Sequence, residues 1–292
     1  MFTQLHPTRV TRSQQSILIH TLIPSRFSSS KRWQARQLKD RFTREASAQG
    51  LKSRAAFKLL QIDEKFHIFK RGQTVVDLGY APGSWSQVAV SRTQPGGRVL
   101  GVDIIPAQPP KGVSAIQGDF LDPKIQEYVL GFVRDSQKRQ TKPTVSSNGT
   151  GYNHNTSQFG LELHSSDSDA AINQTHAGRQ DNPGSQQFTV DVVLSDMMMN
   201  TSGVKFKDHA GSMDLCRAAL EFSFVVLKAG GHFICKFYQG AEDRALEKQL
   251  RCLFEKVHRL KPESSRNASK EAFFIGLKRK QCATKDQVFT PS

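Results

Sequence analysis

The chain has 292 residues, enough for one large domain or two small ones, and carries a formal charge of +15. That balance is too basic for most enzymes of small metabolites and suits a polyanion such as RNA or DNA. Cys216, Cys235, Cys252 and Cys282 form no CxxC pair, the histidines show no HExxH-type spacing, and no apolar run nears the roughly 20 residues of a bilayer-spanning helix, so no disulfide scaffold, metal site or membrane insertion is expected.

Residues 1–30 hold Arg9, Arg12 and Arg26, many serines and threonines, and an amphipathic set at Ile17, Ile19, Leu22 and Ile23, with no acidic residue before Asp40. That composition fits a mitochondrial transit peptide, or else a disordered basic arm that touches RNA. Its removal would take away only those three arginines, so the rest stays strongly basic.

From Lys31 to Phe66 the sequence is charged and helix-prone. SRAAFKLLQIDEKF places Ala55, Leu59 and Ile62 on one helical face and Arg54 and Lys58 on another. VVDLGYAPGSWSQ follows, joining a buried-type strand to a helix through a glycine loop. Asp77 lies near the strand's carboxyl end, where open α/β sheets place their ligands. Gly79 and Gly83 allow close backbone approach, Pro82 fixes φ, and Ser84 or Ser86 is expected to cap the helix. The loop is not GxGxxG. Ser84 and Trp85 crowd the space a diphosphate would take, so an adenosine ligand without phosphates fits better, S-adenosylmethionine being the common one.

Three strand-like runs, QTVVDLG, GRVLGVD and SAIQGD, each end near an aspartate and precede polar or helical sequence, the alternation of a doubly wound parallel sheet. Asp103 is placed to accept both hydroxyls of a ribose. Asp119 either accepts from an adenine amine or caps the next helix. Residues 137–187 are rich in Ser, Asn, Thr, Gln and Gly with no period, as in a disordered surface insertion that interrupts one domain over 31–280, and 281–292 read as a flexible tail.

After the insertion come the strand FTVDVVLSD, a helical segment through Met213, Leu215, Ala218, Leu220 and Phe224, the turn LKAGG and the strand HFICKFYQG, then two more strands, VHRLKP and AFFIGLK. Lys236 sits among apolar neighbours in FICKFY, where an unpartnered ammonium would cost several kcal/mol. Asp196 ends its own strand in the same way, so in adjacent parallel strands the two charges meet at the carboxyl edge. If the last strand is antiparallel, Glu271 opens it on that same edge, and Lys58 joins from the helix before the first strand. Lys52, Arg54, Arg266 and Lys270 are expected around this pocket on RNA phosphates, with Lys31, Arg32 and Arg36 extending the track.

GLKSRAAFKL, VVDLGYAPGSWSQ, GVDIIP, QGDF, VVLSDMMMNTSG, GGHFICKFYQG and KPESSRNASKEAFFIG together resemble the RrmJ/FtsJ family of 2'-O-ribose RNA methyltransferases, in that family's order and over nearly all of Lys31 to Lys280 outside the insertion. The resemblance implies a Rossmann-like S-adenosylmethionine-dependent methyltransferase fold, a mostly parallel seven-stranded sheet with one antiparallel strand and helices on both faces. It implies a Lys-Asp-Lys-Glu tetrad on Lys58, Asp196, Lys236 and Glu271, and cofactor contacts at Gly83, Trp85, Asp103, Asp119 and Asp196. The sequence departs from the family at Met197, Met198 and Met199, where an alanine and a proline are usual. It departs also at Tyr80, in place of a small residue, which is expected to alter the wall near the methionine part of the cofactor.

With the transit-like start, the resemblance implies the mitochondrial branch: a monomer in the matrix that methylates a uridine of large-subunit ribosomal RNA, with the assembling ribosomal subunit as a further partner. Two other readings stay open from the residues. One is 2'-O-methylation of a tRNA; the other is a ribosome-assembly factor that binds rRNA with little catalysis.

Overall fold

The computed structural model describes residues 40–138 and 189–290. The transit-peptide reading, residues 31–39 with the basic track begun at Lys31, and all but the first two residues of the expected insertion fall outside them. In chain order the elements are α1 (Arg41–Ala48), α2 (Ala55–Phe66), β1 (Thr74–Leu78), α3 (Ser84–Thr93), β2 (Arg98–Asp103), β3 (Val113–Gln117), α4 (Pro123–Lys138), β4 (Val190–Ser195), α5 (Lys205–Val226), β5 (Leu227–Tyr238), α6 (Asp243–Leu253), β6 (Phe254–Leu260), β7 (Glu271–Arg279) and α7 (Lys285–Phe289).

The strands form one seven-stranded sheet in the order β3-β2-β1-β4-β5-β7-β6, in which only β7 runs against its neighbours. Strand order reverses between β1 and β4, the crevice at which open α/β sheets take ligands. The expected fold class is what the sheet shows.

Successive side chains of a strand point to opposite faces, and here that period sorts the core into two layers. Val76 and Leu78 of β1, Val193 of β4, Phe233, Cys235 and Phe237 of β5 and Phe274 of β7 pack with α4, α5 and α6. Val75, Val192, Leu194, Ile234, Phe273 and Ile275 point the other way, onto Ala56, Leu59 and Ile62 of α2 and Trp85, Val88 and Ala89 of α3. Each such buried aliphatic or aromatic side chain contributes about 1.5–3 kcal/mol over its exposed state.

Continued by one more residue, the α2/α3-facing rows turn polar at the sheet's edge. Val75 leads to Asp77, Leu194 to Asp196, Ile234 to Lys236, and Ile275 through Phe273 to Glu271. The same parity that builds this half of the core therefore sets four charged groups on one face.

Three local expectations differ. Gly83, at φ 106°, rather than Ser84 or Ser86, occupies the N-cap of α3, and no side chain caps it, because both serines face inward to other partners. The LKAGG segment is taken up into β5, with Gly230 at φ 80° and a register shift against β4 between Val190 and Val192. Residues 281–290 are not a loose tail: Thr284 and Gln287 form a capping box for α7, whose Val288 is buried in the core. Among the described residues no helix is long and apolar enough to cross a membrane.

Candidate active site

The loop leaving β1 is held from both sides. Gly79 N–H and Tyr80 N–H donate to Val102 O at 2.8 and 3.3 Å, and Gly83 N–H closes the turn containing Pro82 on Tyr80 O at 2.5 Å. Gly79 has φ 77°, and a Cβ there would lie 2.7 Å from Met197 Cα, so only glycine lets the chain after β4 pass this close. A Cβ on Gly83 would meet the Pro110 ring at 2.7 Å.

Beneath the loop Asp77 is fully buried. Its Oδ2 accepts from Ser86 Oγ at 2.6 Å, while Oδ1 has no hydrogen-bond partner. Burial pushes its pKa up to about 7; the Ser86 hydrogen bond opposes the rise, and the neighbouring charges of Asp196 and Asp103 add to it. Asp103, at the end of β2, accepts from Ala81 N–H and Ile105 N–H, both at 2.9 Å, one on each oxygen. Asp119 is exposed and accepts from Leu121 N–H at 2.9 Å on one oxygen, a turn contact.

Two residues of this loop sit otherwise than the sequence suggests. Trp85 is 2 % exposed, donates from Nε1 to Ala55 O at 2.9 Å and packs against Phe273, so its ring ties α3 to α2. Tyr80 is turned toward β2: a Cβ on Gly101 would collide with its ring at 2.5 Å, and its hydroxyl donates to Ala107 O at 2.6 Å. Burial first, then Asp103 and Asp77, raise the phenol's pKa.

The charged ends of the α2/α3-facing rows meet as two ion pairs. Lys236 Nζ lies 2.9 Å from Asp196 Oδ1 and donates to Asp196 O at 2.6 Å, with the two side chains 7 % and 18 % exposed. The carboxylate contact is one of charge without an aligned hydrogen, since Oδ1 has no hydrogen-bond donor. Lys58 Nζ lies 2.8 and 2.9 Å from the two oxygens of Glu271, across 213 residues of chain, and 5.8 Å from the centre of the Phe273 ring. Burial pushes the Glu271 carboxyl up, but Lys58, with smaller contributions from Ser265 and then Lys236, outweighs it and holds it below the usual range. All four tetrad positions read from the sequence are thus brought together.

The cations expected on RNA phosphates also make contacts within the protein. Lys52 Nζ donates to Gln108 O, and Arg54 donates to Ser264 O while lying 5.6 Å over the Phe42 ring, so both cations tie backbone segments together. Burial, then Arg266, lowers the Arg54 pKa and Glu271 raises it, so Arg266 stands close by. Lys270 is exposed at the start of β7.

Sequence reasoning missed the residues that fix the exits of β4 and β5. His209 Nδ1–H donates to Tyr238 O at 2.7 Å, its Nε2 accepts from Glu242 N–H at 3.0 Å, and Ser212 Oγ accepts from Tyr238 N–H at 2.9 Å. Asp208 accepts from Ser202 N–H, Ser202 Oγ–H and Gly203 N–H at 2.7, 2.8 and 3.1 Å. In the absence of the usual proline, the methionine run is seated by these contacts, by Met197 on Gly79 and by Met199 against Gly211. A polar His and Ser three residues apart on a helix was the available signal.

The family profile of FtsJ-like methyltransferases matches residues 51–279. The chain belongs to this family. As an FtsJ-like methyltransferase it is 38 % identical to "rRNA methyltransferase 2, mitochondrial" of Saccharomyces cerevisiae, over 91 % of this chain and 92 % of that one. It is 34 % identical to the Schizosaccharomyces pombe protein of the same name, over 85 % and 95 %. To "Ribosomal RNA large subunit methyltransferase E" of Psychrobacter arcticus it is 34 % identical, over 86 % and 94 %. In fold it resembles a crystal structure described as a ribosomal RNA methyltransferase from Plasmodium falciparum, with a TM-score of 0.55 at 22 % identity, covering 78 % of this chain and 98 % of that one. The tetrad and the glycine loop both lie within the matched span of this FtsJ-like methyltransferase.

Proposed function

We propose that this FtsJ-like methyltransferase transfers a methyl group from S-adenosylmethionine to a ribose 2'-hydroxyl of a uridine in mitochondrial large-subunit ribosomal RNA, acting as a monomer in the matrix. The observation that carries the reading is the pairing of Lys236 with Asp196 and of Lys58 with Glu271 on one face of the sheet, beside the glycine loop. The mitochondrial and ribosomal assignments lean on the names of the yeast relatives and on the strongly basic balance of the chain.

The residues fit a cationic adenosine cofactor. Asp77 feels the charges of Asp196 and Asp103 and keeps a buried oxygen without a hydrogen-bond partner, a cluster that a positive ligand relieves. Asp103 would hold the ribose, Asp119 the adenine amine, and the backbone of Gly79, Gly83 and Trp85 the remainder. When bound, S-adenosylmethionine supplies a methyl group on a sulfonium.

The protein's task is to hold a weak hydroxyl nucleophile in line with that methyl group and to bear the charge that develops on its oxygen. Lys236 donates one hydrogen bond to the Asp196 carbonyl and lies in charge contact with its carboxylate, which leaves a donor for the ribose oxygen. With Asp196 fixing it, Lys236 is a preorganised cation that stabilises the forming alkoxide while the hydroxyl proton passes to water. Lys58 and Glu271 neutralise each other and act by bracing the substrate side of the pocket. Burial among apolar rows excludes bulk water and strengthens these interactions.

Nucleotide-resolution mapping of 2'-O-methyls in cells with and without the gene tests the reading. Loss of one uridine mark from mitochondrial large-subunit rRNA is expected. Loss confined to a tRNA, or no loss from any RNA, overturns the substrate.

A further inference from the structure

Between Asp196 and the body of α5 three large apolar side chains face solvent: Met198 at 60 %, Val204 at 59 % and Phe206 at 78 % exposure. Exposed large hydrophobics in a short run mark a contact surface rather than a core. The segment is held in place, since Asp208 grips Ser202 and Gly203, and it adjoins the catalytic strand: Tyr238 Oη lies 3.3 Å from Met198 Sδ, and Tyr238 is two residues beyond Lys236. His209 and Ser212, one turn along α5, bind the backbone of that same Tyr238. Phe206 thus lies one turn before His209 in the helix that holds the strand end next to Lys236, and it is flanked by the exposed Lys205 and Lys207.

We propose that Lys205, Phe206 and Lys207, with Met198 and Val204 beside them, form a stacking platform for a single-stranded RNA nucleotide next to the acceptor. The inference deepens the proposed function and rests on its RNA substrate. An aromatic ring between two cations matches a base with a phosphate on either side: the ring takes the π-face, the ammonium groups take the backbone, and any base will serve. An apolar protein surface is the poorer match, because docking on Phe206 would desolvate both lysines. A duplex is poorer again, since its bases offer no free face to a side chain on the protein's rim. The platform thus selects an unpaired stretch and presents the neighbouring ribose to Lys236.

The test uses the full chain with a fluorescent 12-nucleotide single-stranded oligoribonucleotide and a blunt RNA duplex of equal length. Phe206→Ala is expected to weaken single-strand binding about 5- to 160-fold, the span for loss of one base on one aromatic side chain, while duplex binding stays within about twofold. Phe206→Trp restores the affinity, and the thermal midpoint moves in neither variant because the ring is exposed. Lys205→Ala and Lys207→Ala each flatten the dependence of log affinity on log salt by about 0.7. Single-strand binding unchanged by Phe206→Ala overturns the platform, as does an equal loss for strand and duplex, or an effect of Phe206→Ala on self-association alone. Wild-type protein that binds neither RNA overturns the RNA reading itself and the platform with it.

Discussion

Replacing Asp77 by asparagine separates the charge of this buried group from its shape. In an unfolded chain the carboxyl ionises near 3.8, whereas in the fold burial, with Asp196 and Asp103, raises it to about 7 against the hydrogen bond from Ser86. Between those values the folded protein holds a proton that the unfolded chain has released, so stability falls as pH rises through this window and levels off above it. The full displacement corresponds to about 4 kcal/mol, of which about 3 kcal/mol falls between pH 5 and pH 8.5. Asparagine keeps an oxygen for the Ser86 hydroxyl and does not titrate, so its own cost is the same at every pH. Urea denaturation of the cofactor-free protein at pH 5 and pH 8.5 therefore shows the variant gaining about 3 kcal/mol on the wild type as pH rises. A gap between variant and wild type that is equal at the two pH values would refute a carboxyl held protonated by its surroundings.

Three further perturbations follow from the same geometry. Gly79→Ala drives a Cβ to 2.7 Å from the Met197 backbone at a φ of 77° and is expected to cost about 2–4 kcal/mol in chemical denaturation, with turnover falling as the loop after Asp196 shifts. Glu271→Gln leaves the Lys58 ammonium largely buried against a neutral amide and is expected to destabilise by about 3 kcal/mol at pH 7. Because the Glu271 carboxyl is held below its ordinary 4.5, the wild type loses that contribution as pH falls below 4.5, so denaturation of the two proteins converges in acid. Tyr80→Phe removes the hydroxyl bond to Ala107 O and is expected to cost about 1 kcal/mol; cofactor affinity measured by calorimetry weakens as the segment after Asp103 loosens.

What the residues disclosed in advance was the part governed by period and strand order. Asp77, Asp196, Lys236 and Glu271 each lie at a charged break in an apolar row, and one antiparallel strand is enough to bring the last of them to the shared edge. What stayed hidden depends on partners far off in the chain. Lys52 and Arg54 read as phosphate ligands, and nothing near them in the sequence shows that they also hold Gln108 O and Ser264 O, the latter 210 residues away. Trp85 reads as a cofactor contact because the glycine motif contains it, yet Phe273 and Ala55 O bury its ring. Tyr80 turns toward β2 because Gly101 leaves room beneath it, a fit between two strands that neither segment announces. The terminal helix escaped notice because its apolar set is short and its burial depends on the preceding core.

The central claim is that Lys236, fixed by Asp196 at 2.9 Å, bears the charge that develops on the ribose oxygen. The most direct test is single-turnover methyl transfer by Lys236→Ala on mitochondrial large-subunit rRNA, with cofactor and RNA affinities measured on the same preparation. The account predicts a fall of about 100- to 1,000-fold or more in the transfer rate, with both affinities within a few-fold of wild type. Transfer at the wild-type rate by that variant would contradict it.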